Sequence, residues 1–289
     1  MRSLTFLVLA LGLGAATVAR AEPIAIVAAE NFYGDVAEQV GGANVKVTSI
    51  LTNPDQDPHL FEASASTARE LAAARIVIYN GADYDPWMTK LLSASRASGR
   101  TTIEVAKLVG KKAGDNPHLW YDPATMPAVA KALAAELAKL DPDHRGDYES
   151  RRDAFDASLK PVNDKIAALR KQYGGISITA TEPVAGYLAE AIHLKVRNPR
   201  FQLAIMNNTE PSASEIAAFQ KDLKTRTAKV LLYNSQTSEE LTEKMRTIAK
   251  ESGVPVVGVT ETEPDGKKYQ DWMLSELAAL ETGLSGKQP

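Results

Sequence analysis

The sequence predicts an α/β protein in two halves, each a parallel β-sheet flanked by helices, with one long rigid helix joining them. Three observations carry this expectation. Short apolar, β-branched runs alternate with helix-length segments from residue 24 onward, the order that builds parallel sheets. The alternation is interrupted once, by a highly charged stretch over 144–173, and starts afresh at 176–180. Within that stretch Phe155, Leu159, Val162, Ile166 and Leu169 recur at the spacing of one helical face.

In chain order, residues 1–21 read as a secretory leader. Met1-Arg2 is positive, 6–18 is apolar or small, and Ala19-Arg20-Ala21 has the form of a cleavage site. The apolar run is shorter than the ~20 residues a membrane span needs. Strands are then expected at 24–29, 45–50, 75–79 and 101–105, with helices from Tyr33 to Gly41-Gly42, over 65–74, from Pro86, and through about Leu140. Pro86 suits a first helical position. The helix over 144–173 is expected to kink at Pro161 and to stop at Gly174-Gly175. Strands at 176–180, 194–196, 229–233 and 255–259 follow. The intervening helices start near Val184, start near Ser212 or Ser214, and end at Gly253; a closing helix covers 269–284. The domain boundaries are therefore 1–21 for the leader, 22–143 for the first lobe, 144–173 for the linking helix and 174–289 for the second lobe. The connector lacks the Gly, Ser and Pro of a flexible hinge, so little relative motion of the halves is expected.

Composition narrows the function. The chain has 33 basic and 36 acidic residues and no cysteine. Without Arg2 and Arg20 the net charge is about −5, an ordinary soluble surface. Basic residues are scattered and aromatics are few, so nucleic acid is not an expected partner. Disulfides, thiol chemistry, Cys-ligated metal and a lipid-modified cysteine anchor are excluded. An exported chain without such an anchor points to the periplasm.

Of four histidines, two follow a proline just beyond a strand: Asp57-Pro58-His59 and Asn116-Pro117-His118. Proline fixes its own φ and extends the residue before it, so the imidazole leaves a stiff turn in a defined direction, as a metal ligand requires. Either one alone reads more readily as a loop histidine. Finding both, each after a strand, favours the ligand reading. Ligands of open α/β sheets gather at the carboxyl ends of strands, and the matching places in the second half hold Thr181-Glu182-Pro183 and Thr260-Glu261-Thr262-Glu263. Two imidazoles and two carboxylates would make a closed site for a divalent transition metal. Alone, Glu182 reads also as a helix N-terminal acid and Glu261 as a loop acid. His144 and His193 are expected to be structural, and Trp87, Trp120 and Trp272 to be packing residues.

These motifs, with Tyr79-Asn80-Gly81, Asp85-Pro86-Trp87, His118-Leu119-Trp120 and Gly186-Tyr187-Leu188, resemble the metal-binding cluster A-I (TroA-like) solute-binding proteins of ABC transporters over essentially the whole mature chain. The resemblance implies two lobes on one rigid helix with the metal between them. It implies His59 and His118 as the first two ligands and Glu182, four residues before Gly186-Tyr187-Leu188, as the third. The fourth is an acid after the last strand. There the sequence departs from the family, since Thr260 stands where an Asp is usual. Glu261 is taken as the fourth ligand, with Glu263 in reserve. The acidic, His-rich insert of some zinc-specific relatives is missing.

The donor set suits Mn2+ or Zn2+ and accommodates Fe2+. A third-position Glu, able to bind through both oxygens, tilts slightly toward Mn2+. The expected function is capture of the ion in the periplasm and delivery to an ABC membrane permease, by a monomer without a membrane anchor. Acid is expected to release the metal by protonating the histidines, and Asp57 and Asp122 either cap turns, the reading at least as well supported, or orient the histidines. A secreted metallohydrolase using the same cluster is the alternative. It would need an open coordination position and a general base, and the chain has no His-Glu-x-x-His, Gly-x-Ser-x-Gly or phosphate-loop motif.

Overall fold

The computed structural model describes residues 22–53, 61, 64–237 and 239–288. The leader and the Asp57-Pro58-His59 turn lie outside the described residues.

The first half runs β1 (Ile24–Glu30), α1 (Asn31–Gly41), β2 (Val45–Leu51), α2 (Ala65–Ala73), β3 (Ile76–Tyr79), α3 (Pro86–Ala94), β4 (Thr101–Glu104), α4 (Val105–Leu108) and α5 (Thr125–Leu140). All four strands are parallel, in the order β2-β1-β3-β4, with Ile26 opposite Ile76 and Ile78 opposite Ile103. β3 is buried along its whole length, which explains why its residues are apolar without alternation. Pro86 occupies the first turn of α3, as expected. The fourth strand stops one residue early, because Val105 turns into the short α4 instead of continuing the ladder.

The linking segment consists of two helices, α6 (Arg145–Ser158) and α7 (Lys160–Tyr173), interrupted at Leu159. Pro161 sits in the first turn of α7, where its missing N–H costs nothing. The stripe of Phe155, Leu159, Val162, Ile166 and Leu169 is buried throughout. α6 packs on α1 and α5, while α7 packs on the last helix of the second half.

The second half repeats the pattern: β5 (Ser177–Ala180), α8 (Gly186–Ala191), β6 (Lys195–Arg197), α9 (Pro199–Met206), α10 (Ala213–Lys224), β7 (Leu231–Asn234), α11 (Glu240–Glu251), β8 (Val256–Val259) and α12 (Tyr269–Leu284). Its sheet is again parallel, in the order β6-β5-β7-β8. α10 opens on a capping box in which the Ser212 hydroxyl accepts from the Glu215 amide and Glu215 reaches back to the Ser212 amide. α9 is not anticipated from the sequence. It is a short helix that begins at Pro199 after a left-handed Asn198 (φ 58°).

One continuous apolar core crosses from half to half. Phe32 of α1 lies 4.6 Å from Trp120 and 5.9 Å from Trp272 of α12, ring centre to ring centre. The Tyr269 hydroxyl donates to the Trp120 carbonyl (2.7 Å), and that of Tyr121 to the Thr260 carbonyl (2.8 Å). All three tryptophans are packing residues, as expected.

Candidate metal centre

His118 is held from three sides before any ligand arrives. Pro117 stiffens the approach, and the Asn80 side chain donates to the Pro117 carbonyl (2.9 Å). Asn80 is itself fixed by the Tyr33 hydroxyl (2.6 Å). The Asn116 carbonyl oxygen Oδ1 accepts from the His118 amide (3.2 Å) and faces ring nitrogen Nδ1 at 2.6 Å. The other ring nitrogen, Nε2, is buried with no hydrogen-bond partner among the described residues. It lies 3.6 Å from Glu261 Oε2, and neither side chain has any solvent exposure.

The two acids come from the second sheet. Glu182 follows β5, and its Oε1 accepts from the Thr237 hydroxyl (2.8 Å). Burial and the neighbouring Glu261 charge push its pKa up to about 7, against the opposing pull of Thr237 and His118. Glu261 lies beyond β8, where the Gln236 side-chain carbonyl accepts from the amides of both Glu261 and Thr262, and Asn234 donates to Glu261 Oε1. The turn after β3 completes the wall. There Asp85 accepts from the amides of Asn80 (2.7 Å) and Gly81 (2.8 Å). Gly81, Ala82 and Asp83 all take left-handed φ (74°, 50° and 65°), a strained path that carries the fully buried Tyr84. Burial, then the Glu261 and Glu30 charges, raise the Tyr84 pKa well above its ordinary value.

The structure thus brings His118 and Glu261 together, with Glu182 near enough to feel their charges, while His59 lies outside the described residues. Among the described residues no three histidine or acidic side chains already form a set able to hold an ion. The reserve acid Glu263 is directed elsewhere. Its pKa rises to about 9 through burial and then the charges of Asp35 and Glu38, and its backbone pairs with the Asn31 side chain. The Thr260 hydroxyl is engaged by Trp272 (2.9 Å) and Glu276 (3.3 Å). Of the two readings open for Asp122, the structure shows the turn cap. Asp122 accepts from the Ala124 amide (2.9 Å) at the entry to α5, and Asn116 is what meets the His118 ring. His144 pairs with Asp141 (2.8 Å), and exposed His193 takes a left-handed turn (φ 61°); neither is near the cleft residues in any recorded contact.

Sequence reasoning missed Asn80 and Asn234. The signal was present, because the third strand of each half leads into the same dipeptide, Tyr79-Asn80 and Tyr233-Asn234. One asparagine braces the His118 turn and the other braces Glu261. Also missed is the buried carboxyl pair Glu30 and Asp85. Burial and then the Asp85 charge raise Glu30 far above the usual carboxylate range, and burial lifts Asp85 to about 6.

Comparison with known proteins agrees with this architecture. Residues 26–283 match the family model of the periplasmic zinc-uptake complex component A, ZnuA. The metal ABC transporter substrate-binding lipoprotein SloC of Streptococcus mutans is 24% identical over 93% of this chain and 93% of its own. The iron ABC transporter substrate-binding lipoprotein MtsA of Streptococcus pyogenes is 23% identical over 97% of this chain and 95% of its own. Among solved structures, the periplasmic zinc-binding protein TroA of Treponema pallidum superposes with a TM-score of 0.76 at 19% identity, covering 91% of this chain and 99% of that one. The two lipoproteins are substrate-binding proteins of ABC transporters, and nothing among these relatives supports the hydrolase alternative. The chain belongs to the ZnuA/TroA-like family of substrate-binding proteins of metal ABC transporters, and it is a carrier, not an enzyme.

Proposed function

We propose that the chain captures Mn2+ or Zn2+, with Fe2+ also accommodated, at His59, His118, Glu182 and Glu261, and delivers it to an ABC membrane permease. The observation that carries this reading is the pair of His118 Nε2 and Glu261 Oε2, 3.6 Å apart and wholly buried. Two donors about 2.1 Å from one tetrahedral ion stand about 3.4 Å apart. Asn116 Oδ1 faces Nδ1, so in the neutral ring Nε2 presents a lone pair to a carboxylate. Two electron-rich atoms held face to face away from water are unfavourable without a cation between them. Glu182 adds a second carboxylate beside them, and two imidazoles with two carboxylates neutralise a divalent ion.

Glu261 is the fourth ligand in this reading, since it is the acid that faces His118 Nε2, while the Thr260 hydroxyl is engaged by Trp272 and Glu276. The mature protein is periplasmic and monomeric, built as a first lobe (22–143), a linking helix (144–173) and a second lobe (174–289). It has no cysteine to carry a lipid anchor, unlike its lipoprotein relatives, and no helix among the described residues is long and apolar enough to cross a membrane. The test is a crystal structure of protein loaded in turn with Mn2+ and Zn2+, with anomalous maps at each edge. A single peak bounded by the four named side chains is expected. A peak elsewhere, or donors too far apart to share one ion, would reject the site.

A further inference from the structure

The side chain of Asn116 touches both halves of the candidate site. Its Oδ1 accepts from the His118 amide and meets ring nitrogen Nδ1, while its Nδ2 donates 2.8 Å to the carbonyl of Pro183, the residue after Glu182. The orientation of this amide is fixed by chemistry. A backbone N–H can only donate and a carbonyl can only accept, so oxygen faces His118 and nitrogen faces Pro183. The Asn116 backbone carbonyl also accepts from Tyr187 of α8 (2.8 Å), whose ring lies 4.6 Å beneath the Lys111 ammonium. Gly186 leaves the room this requires, for a Cβ there would stand 2.9 Å from Asn116 Nδ2.

We propose that Asn116 is a positioning residue with two tasks on one amide: it selects the Nδ1-protonated tautomer of His118, and it ties that imidazole to the Glu182 turn across the lobe seam. The first task follows because an acceptor at 2.6 Å requires a proton on Nδ1 of the neutral ring, leaving Nε2 to face Glu261. The second follows because a shift of the Pro183 carbonyl moves the same amide that holds the ring. Donors from opposite lobes are thereby kept in register. This inference rests on the metal-site reading only for its effect on affinity; the tautomer does not depend on it.

The test uses the full chain and the variants Asn116→Ala, Asn116→Asp and Gly186→Ala. The His118 tautomer is read from imidazole 15N shifts in metal-free protein at a pH where the ring is neutral, and Zn2+ and Mn2+ affinities are measured in parallel. Wild type is expected to show Nδ1–H alone. Asn116→Ala is expected to mix the tautomers and weaken both ions by about 10–100-fold. Asn116→Asp keeps the acceptor for Nδ1 but sets oxygen against the Pro183 carbonyl. It is expected to retain Nδ1–H and still lose affinity, which separates the two tasks. Gly186→Ala, which alters neither Asn116 nor a ligand, is expected to weaken binding in the same direction. An unchanged tautomer in Asn116→Ala, or unchanged affinity in Asn116→Asp, overturns the proposal. Failure of wild type to bind either ion with the tautomer pattern intact would instead reject the metal-site reading. Should Asn116→Ala not fold, Asn116→Asp and Gly186→Ala carry the test alone.

Discussion

Glu261 and Glu263 are two residues apart and both buried, yet their surroundings assign them opposite tasks. Glu261 faces an imidazole, its carboxylate accepts from Asn234, and its amide donates to Gln236. Burial, and then the charges of Asp35 and Glu38, lift the Glu263 pKa to about 9, which keeps it protonated at neutral pH. Glu261→Gln is therefore expected to reduce metal affinity by more than the ~100-fold that loss of a supporting residue can cost. Glu263→Gln, which mimics the protonated acid, is expected to leave titration calorimetry with Zn2+ and Mn2+ unchanged within about threefold, far inside that range. Equal losses in the two variants would sink the assignment. Sequence alone could not make this choice, because it turns on where the last strand stops. β8 ends at Val259, and Gln236, 25 residues before Glu261, then dictates how the chain leaves it. The histidine turn was legible for the opposite reason, since Pro117 determines its direction locally.

At the scale of elements, the strands and the long helices were readable because each carries its own periodicity and its own stops. α12 matches its expected span, and the buried stripe of α6 and α7 follows the expected five residues. What escaped was an element fixed by tertiary contact: α9 depends on the Asn198 turn, held by Asp222 (3.0 Å) and Thr179 (3.3 Å). β6, expected at 194–196, pairs with β5 one residue later, over 195–197. The Ser212 cap of α10, by contrast, was visible and carries a prediction. Ser212→Ala removes the acceptor for the Glu215 amide and is expected to cost about 1 kcal/mol in urea unfolding. Because α10 contributes none of the cleft residues, metal affinity is expected to stay at the wild-type value. A stability loss accompanied by weaker binding would mean that the helix supports the site.

At the scale of the molecule, the aromatic seam of Phe32, Trp120 and Trp272 and the hydrogen bonds beside it join the halves across one core. Opening it would expose large aromatic surfaces to water, so solution scattering is expected to give the same radius of gyration with and without metal; a closure of many degrees would contradict this. The same enclosure governs the response to pH. Burial raises Glu182 and Glu276 from an ordinary 4.5 to about 7, Glu263 to about 9 and Asp85 from 3.8 to about 6, and raises Glu30 as well. A carboxyl whose folded pKa lies above its unfolded one binds more protons when folded. Its stabilising share is complete below the unfolded value and is lost as pH climbs through the folded one. The acids with lowered values, Asp141, Glu104, Glu215 and Asp222, act in the opposite sense and only near pH 4 and below. Metal-free protein is therefore expected to melt lower at pH 9 than at pH 5, by on the order of 5 °C or more. Saturating metal stabilises the folded form by mass action and holds Glu182 ionised without penalty. The gap between loaded and metal-free melting temperatures is expected to widen as pH rises through about 7, where Glu182 titrates. Calorimetric scans of both forms from pH 5 to 9 check this. A metal-free melting temperature that is flat or rising over that range would show that these carboxyls are not as enclosed as the fold places them.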